Sequence, residues 1–240
     1  MLFLGAWQVA AAMDLAPKRL FPAPTDVLRA LYVLFAERQF HLDVWASVQR
    51  IGLSFTLAAL VAVPLGLLMG AFPALGAFFN PLVSPFRYLP APAFIPLLMM
   101  WLGADERQKI ALLFLGVVWF LVTLVMDHTR QVAQELVETA RTLGASRKQV
   151  LTSIITRAAL PGIVDTCRQM IAVSWTYLVI AEIVVITNGI GAMMMRARRF
   201  VNVDDVMAGI VMIGILGFVI DVLFRVLHWW LFPHLRKRKS

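Results

Sequence analysis

From residue 51 to residue 86 the chain carries no charged side chain, and that run decides which solvent the fold must live in. A membrane-spanning helix needs about 20 mostly apolar residues, so the run is too long for a single crossing. Pro73 and the Asn80-Pro81 pair are expected to break it, leaving residues 51–72 as one span. The same test gives further spans at 86–103, 110–126, 170–186 and 206–231. The second contains Pro90, Pro92 and Pro96, which neighbouring helices in a membrane can accommodate. Residues 2–13, LFLGAWQVAAAM, are apolar but too short to cross unaided, and no basic leader or cleavage site marks them as a signal peptide. They read as the remnant of a first span. The expected fold is an all-α polytopic membrane protein with five firm transmembrane helices plus a shortened first one. With no internal repeat or low-complexity linker, residues 1–240 read as one transmembrane domain.

Composition matters for what it excludes. Hydrophobic residues make up 60% of the chain and charged ones 15%, far from the balance of a soluble domain. Cys167 is the one cysteine, so an intrachain disulfide is impossible, and no Cys/His cluster has metal-ligand spacing. His41, His128, His228 and His234 are scattered, and neither a G-x-S-x-G nor an H-E-x-x-H motif occurs, which argues against an enzyme. The net charge of +8 is divided between one internal loop and the tail, a pattern suited to anionic lipid rather than nucleic acid.

Six spans place the loop at 127–169 and the C-terminal tail on one side, with ten Lys/Arg there against nine on the other. That ratio does not set orientation by itself. Arg236, Lys237, Arg238 and Lys239, directly after the last span, suit an anionic cytoplasmic leaflet. The loop and tail are therefore expected in the cytoplasm.

The loop contains ELVETARTLGASRKQV, residues 135–150. Leu136, Ala140 and Leu143 recur at i, i+4 and i+7 as a narrow apolar stripe, with Glu135, Glu138 and Arg141 off it. Gly144 stands where a left-handed residue ends a helix, and Ser146 with Gln149 makes the S-x-x-Q of a capping box. The pattern predicts helix, tight turn, helix. It serves either as a solvated loop or as a docking element for a soluble partner.

Glu138-Thr139-Ala140, three residues and then Gly144 resemble the E-A-A-x-x-x-G signature of the permeases of ATP-binding cassette importers. ARTLGASRKQVL, the AALPG of residues 158–162, FPAPTDVLRAL, SVQRIGLSF, FRYLPAPAFIPLLMMWLG and VIAEIV are similar to the branch that imports nitrate, sulfonates, taurine or bicarbonate. The resemblance runs from Phe21 onward, with Thr139 in place of Ala, and Thr156-Arg157 where general importers carry Leu-Pro. It implies a six-helix type I importer permease whose cytoplasmic coupling helix lies between the fourth and fifth helices. Glu135, Glu138, Thr139, Ala140, Leu143, Gly144 and Ala145 would couple it to the ATPase. It further implies a homodimer, two ATPase subunits that hold the ATP and Mg, an extracytoplasmic binding protein, and a bacterial inner-membrane location. This chain would carry no cofactor of its own and has no G-x-x-x-x-G-K-[ST] loop. A related importer for a solute such as glycine betaine remains an alternative. A secondary transporter would be expected to show inverted repeats, and none is visible.

The charges inside the spans complete the reading. Asp221 and Arg225, four apart, are expected to pair with each other. Arg50 and Arg87 flank span ends and read as headgroup anchors. Glu182 lacks a basic partner within a turn of its own helix, which leaves either a gating or packing role or a contact with another helix. Ser174, Tyr177 and Ala181 share one face of the span 170–186, and Trp175, Val179 and Glu182 the adjoining face. Ser174, Trp175, Tyr177 and Glu182 are therefore candidates for a substrate path in which the hydroxyls and the indole act as neutral donors, against the alternative that the hydroxyls serve their own helix carbonyls.

Overall fold

The computed structural model describes residues 2–13 and 20–233. Lys18, Arg19 and the basic tail lie outside the described residues. All regular structure among the described residues is helical.

The short apolar start forms α1 (Leu2–Ala12), followed by α2 (Pro24–Glu37), which begins with proline at its first position, where no N–H is needed. The first long span is α3 (Phe40–Ala71), starting a full three turns before the charge-free run because Arg50 and Asp43 are accommodated inside the protein. Pro73 does not simply break the run. It opens a second helix, α4 (Pro73–Phe86), which contains the Asn80-Pro81 pair expected to end a helix. Residues 86–103 are not one straight span either. A 3-10 turn (Ala91–Phe94) leads into α5 (Ile95–Leu102), and together with α4 it forms a pair bent by 81°. Three prolines within a few residues leave too few N–H donors for a continuous ladder.

Asp105 accepts a hydrogen bond from the Arg107 N–H at 2.8 Å and starts α6 (Glu106–Arg130). After it come α7 (Gln134–Thr142) and α8 (Arg147–Gln149), which passes through a π-helical turn (Val150–Ile155) into α9 (Thr156–Val184). The chain ends with α10 (Ile190–Arg199) and α11 (Val203–Leu231). Among the described residues four helices are long and apolar enough to cross a membrane, and a fifth span is reached if the bent α4–α5 pair counts as one. The all-α expectation agrees with this architecture, and the expected number of spans is met when the bent pair is counted as one.

Helices α3 and α6 run parallel and form the centre. Gly66 and Gly70, a G-x-x-x-G pair, let their backbones approach: a Cβ at Gly66 would stand 2.7 Å from Val125 Cβ. Around this seam Ala58, Ala62, Leu121 and Val122 are fully buried. α9 packs antiparallel to α6, with the Tyr177 ring over Gly116. By contrast α11 is peripheral and shows Ile210, Phe218, Leu223 and Trp230 to the outside, as a lipid-facing helix does. The bundle has two ends. One carries α7, the other the α9–α10 turn.

Candidate functional site

At the first end, α7 closes with a Schellman motif. Gly144 has φ 83°, its N–H donates to Arg141 O at 2.9 Å, and Ala145 N–H donates to Ala140 O at 3.0 Å. Ser146 and Gln149 then cap each other: Ser146 N–H donates to Gln149 Oε1 at 2.8 Å and Gln149 N–H to Ser146 Oγ at 3.3 Å. These caps fix a rigid hairpin. Ala140 roots it in a small cluster with Val150 and Ile155. The rest of the expected stripe does not pack inward, for Leu136 is 51% and Leu143 81% exposed. Glu135, Glu138, Thr139 and Gly144 are also exposed, and Ala145 is half-buried. A cavity of about 760 Å³ runs from Glu138 and Arg141 to Asn80, past Gly70, Gly76 and Arg130.

The other end holds a network that sequence spacing did not reveal. Arg50, 3% exposed, donates from Nη1 to Glu182 Oε1 at 2.5 Å, and from Nε and Nη2 to the two Glu106 oxygens at 2.5 and 2.6 Å. It also reaches Asn188, through Nη1 to the carbonyl O at 2.9 Å and through Nη2 to Oδ1. Glu182 accepts from Ser47 Oγ at 2.7 Å and from Gly191 N–H at 2.8 Å. Lys109, fully buried, donates to Thr187 Oγ1 at 2.5 Å and lies 3.5 Å from Glu106. One layer further out, Asp43 accepts from Gly189 N–H and from Arg196 Nη2, both at 2.6 Å. Two cations thus face two carboxylates across α3, α6 and α9, and the α9–α10 turn is tied to the network. Arg50 is therefore no headgroup anchor: it points inward, because Glu182 needs a partner that its own helix lacks. The sequence signal was an acid alone in its span, Glu182, and a base at the edge of another, Arg50.

The α9 residues singled out from the sequence are brought together, but inside the protein. Ser174, Trp175 and Glu182 are buried, and Tyr177 packs on α6. Ser174 Oγ donates to Met170 O at 3.1 Å, the own-helix bond that had been the alternative. The face of α9 open to the outside of the protomer carries Gln169, Ala172 and Thr176 instead. Nearer the α7 end, Asp221 lies 2.7 Å from Arg225, and Arg168 on α9 adds a second cation at 3.7 Å.

Four or five apolar segments long enough to span a membrane, a buried ion-pair network at one end and a capped, outward-presented helix at the other make a polytopic membrane subunit. Residues 62–237 match the sequence model of the binding-protein-dependent transport system inner membrane component. The chain belongs to that family of transporter permeases. It is 32% identical over 237 residues to the taurine transport system permease protein TauC of Escherichia coli, covering 97% of this chain and 86% of that one. It is 29% identical to the putative aliphatic sulfonates transport permease protein SsuC of Bacillus subtilis, covering 94% of this chain and 82% of that one. The nitrate import permease protein NrtB of Synechocystis is 25% identical, with 92% of this chain and 82% of the relative covered. In fold it is similar to a chain of the MetNI methionine ABC transporter in an inward-facing conformation, with TM-score 0.71 at 20% identity, covering 79% of this chain and 94% of that one.

Proposed function

We propose that this chain is the membrane permease of an importer for a small sulfonate, nitrate or similar oxyanion or zwitterion, driven by ATP hydrolysis on a separate subunit. The observation that carries the reading is α7. It is a short helix rigidly capped at its C-terminal end, held at one end of a membrane bundle, with Leu136 and Leu143 exposed beside Glu135 and Glu138. Exposed leucines on a charged helix are a docking surface when a partner covers them. Here the partner is an ATP-binding cassette subunit that holds ATP and Mg. Glu135, Glu138, Thr139, Leu143 and Gly144 meet it directly, while Ala140 and Ala145 anchor the hairpin to the bundle.

The working assembly is two copies of this chain, two ATPase subunits and an extracytoplasmic binding protein in a bacterial inner membrane, with the α7 end in the cytoplasm. ATP-driven closure of the ATPases draws the two α7 helices together, and the spans rock between inward- and outward-open states. Cargo shifts that equilibrium only by its different affinity for the two states. The names of the relatives support the cargo class. Thermal-shift screening of the cognate binding protein against taurine, ethanesulfonate, nitrate and bicarbonate tests it. Stabilisation by at least one of these oxyanions or zwitterions is expected, and stabilisation only by cations or by solutes without an anionic group would contradict it.

A further inference from the structure

The break between α4 and α5 sits deep in the bundle. Phe86, the last residue of α4, stacks on Trp119 with ring centroids 4.5 Å apart and planes at 19°. Trp119 falls near the middle of α6, about 20 Å from its start and about 17 Å from its end at 1.5 Å per residue. Arg87, the next residue along from Phe86, therefore lies at mid-depth and not at a span end. A cation there is costly, about 2.5–3.5 kcal/mol on insertion scales, unless it is paired or wet.

Among the described residues no carboxylate pairs with Arg87. Its Nε is buried without a hydrogen-bond partner, and its guanidinium carbon stands 5.9 Å from the Tyr88 ring centroid. Tyr88 itself is 82% exposed. A guanidinium and a phenol at this depth cannot face hydrocarbon without leaving polar atoms unsatisfied, so this open side of the protomer faces water or the second copy. Ser84 and Asn80 precede Arg87 by three and seven residues on the same face of α4, and Ser84 Oγ donates to Asn80 Oδ1 at 3.0 Å. Asn80 in turn lines the cavity beside α7. A polar stripe thus runs down an otherwise apolar helix from mid-depth to the α7 end.

We propose that Arg87 contacts the anionic group of the cargo at the α4–α5 break, and that Ser84 and Asn80 continue its path toward the cytoplasm. The proposal rests on the reading of the chain as an importer of small oxyanions. A planar guanidinium matches the oxygens of a sulfonate or nitrate. Because this half-buried guanidinium stands beside the exposed Tyr88 ring and is not sealed with a fixed acid, water can compete and the anion is released.

The test uses the complete complex in proteoliposomes, loaded with its binding protein and supplied with ATP. Uptake of labelled taurine, ethanesulfonate and nitrate is compared for wild type, Arg87→Gln and Arg87→Lys. The expected result is at least a tenfold loss of uptake in Arg87→Gln and partial retention in Arg87→Lys. Wild-type uptake with Arg87→Gln within twofold of it overturns the proposal alone. No wild-type uptake of any of the three solutes overturns the cargo reading, and this proposal with it. A second arm decides if Arg87→Gln does not assemble with the ATPase subunits. Tyr88→Cys in a Cys167→Ser background is treated from both sides with the membrane-impermeant reagent methanethiosulfonate ethylsulfonate. Labelling supports a water-filled path at this depth, and its absence overturns it.

Discussion

Arg50 and Glu182, 132 positions apart in the chain, meet at 2.5 Å with hardly any exposure on either side. Removing one partner of a buried pair leaves an uncompensated charge, a loss of about 3–5 kcal/mol. Glu182→Ala should therefore lower the thermal unfolding midpoint of the purified protein markedly. The double variant Arg50→Ala, Glu182→Ala should be less damaged than the sum of the two single changes. Additive effects in that cycle would show that the pair does not act as a unit.

The α3–α6 seam makes a second demand. Gly66→Val would push a side chain into Val125 and the Val122 carbonyl, and overpacking of this kind costs about 1–3 kcal/mol. Reduced thermal stability is expected, with a much smaller effect from the same change at Gly52, whose Cβ position is open.

Leu143 gives a test of docking free of folding effects. At 81% exposure, Leu143→Asp should alter stability by no more than about 0.5 kcal/mol. Co-purification with the ATPase subunit should nevertheless fall at least tenfold. Equal co-purification of variant and wild type would place the docking surface elsewhere.

Sidedness is open to direct labelling. In a Cys167→Ser background, a cysteine at Ala104 should react with an impermeant maleimide added to intact cells, and one at Ser146 only after the membrane is opened. The reverse pattern would invert the proposed orientation.

The sequence was most informative where a local rule acts alone. The spans follow from unbroken apolar runs, the G-x-x-x-G seam from residue size, and the α7 turn from Gly144 and the Ser146–Gln149 spacing. What depends on distant partners was not legible. Arg50 and Glu182 each looked solitary because their partners lie on other helices, and nothing in either segment encodes which helix will be adjacent. The α4–α5 bend was also hidden, since a proline tolerated in one membrane helix and breaking another is distinguished only by what packs around it. The same ambiguity placed Arg87 at a span end, whereas Phe86 on Trp119 puts it at mid-depth. On α9 a shift of one or two residues, well under a helical turn, separates the buried Ser174 and Trp175 from the open Thr176.

If α7 transmits ATP hydrolysis to transport, ATP-driven uptake must fail in the reconstituted complex carrying Gly144→Glu. Gly144 adopts φ 83° with no atom within 4 Å of where a Cβ would stand, so the change costs about 1 kcal/mol locally and its charge lands on the docking face. The expected result is a folded, membrane-inserted complex in which binding-protein-delivered taurine, ethanesulfonate or nitrate accumulates in wild-type vesicles but not in those carrying the variant. Uptake by Gly144→Glu at the wild-type rate would contradict it.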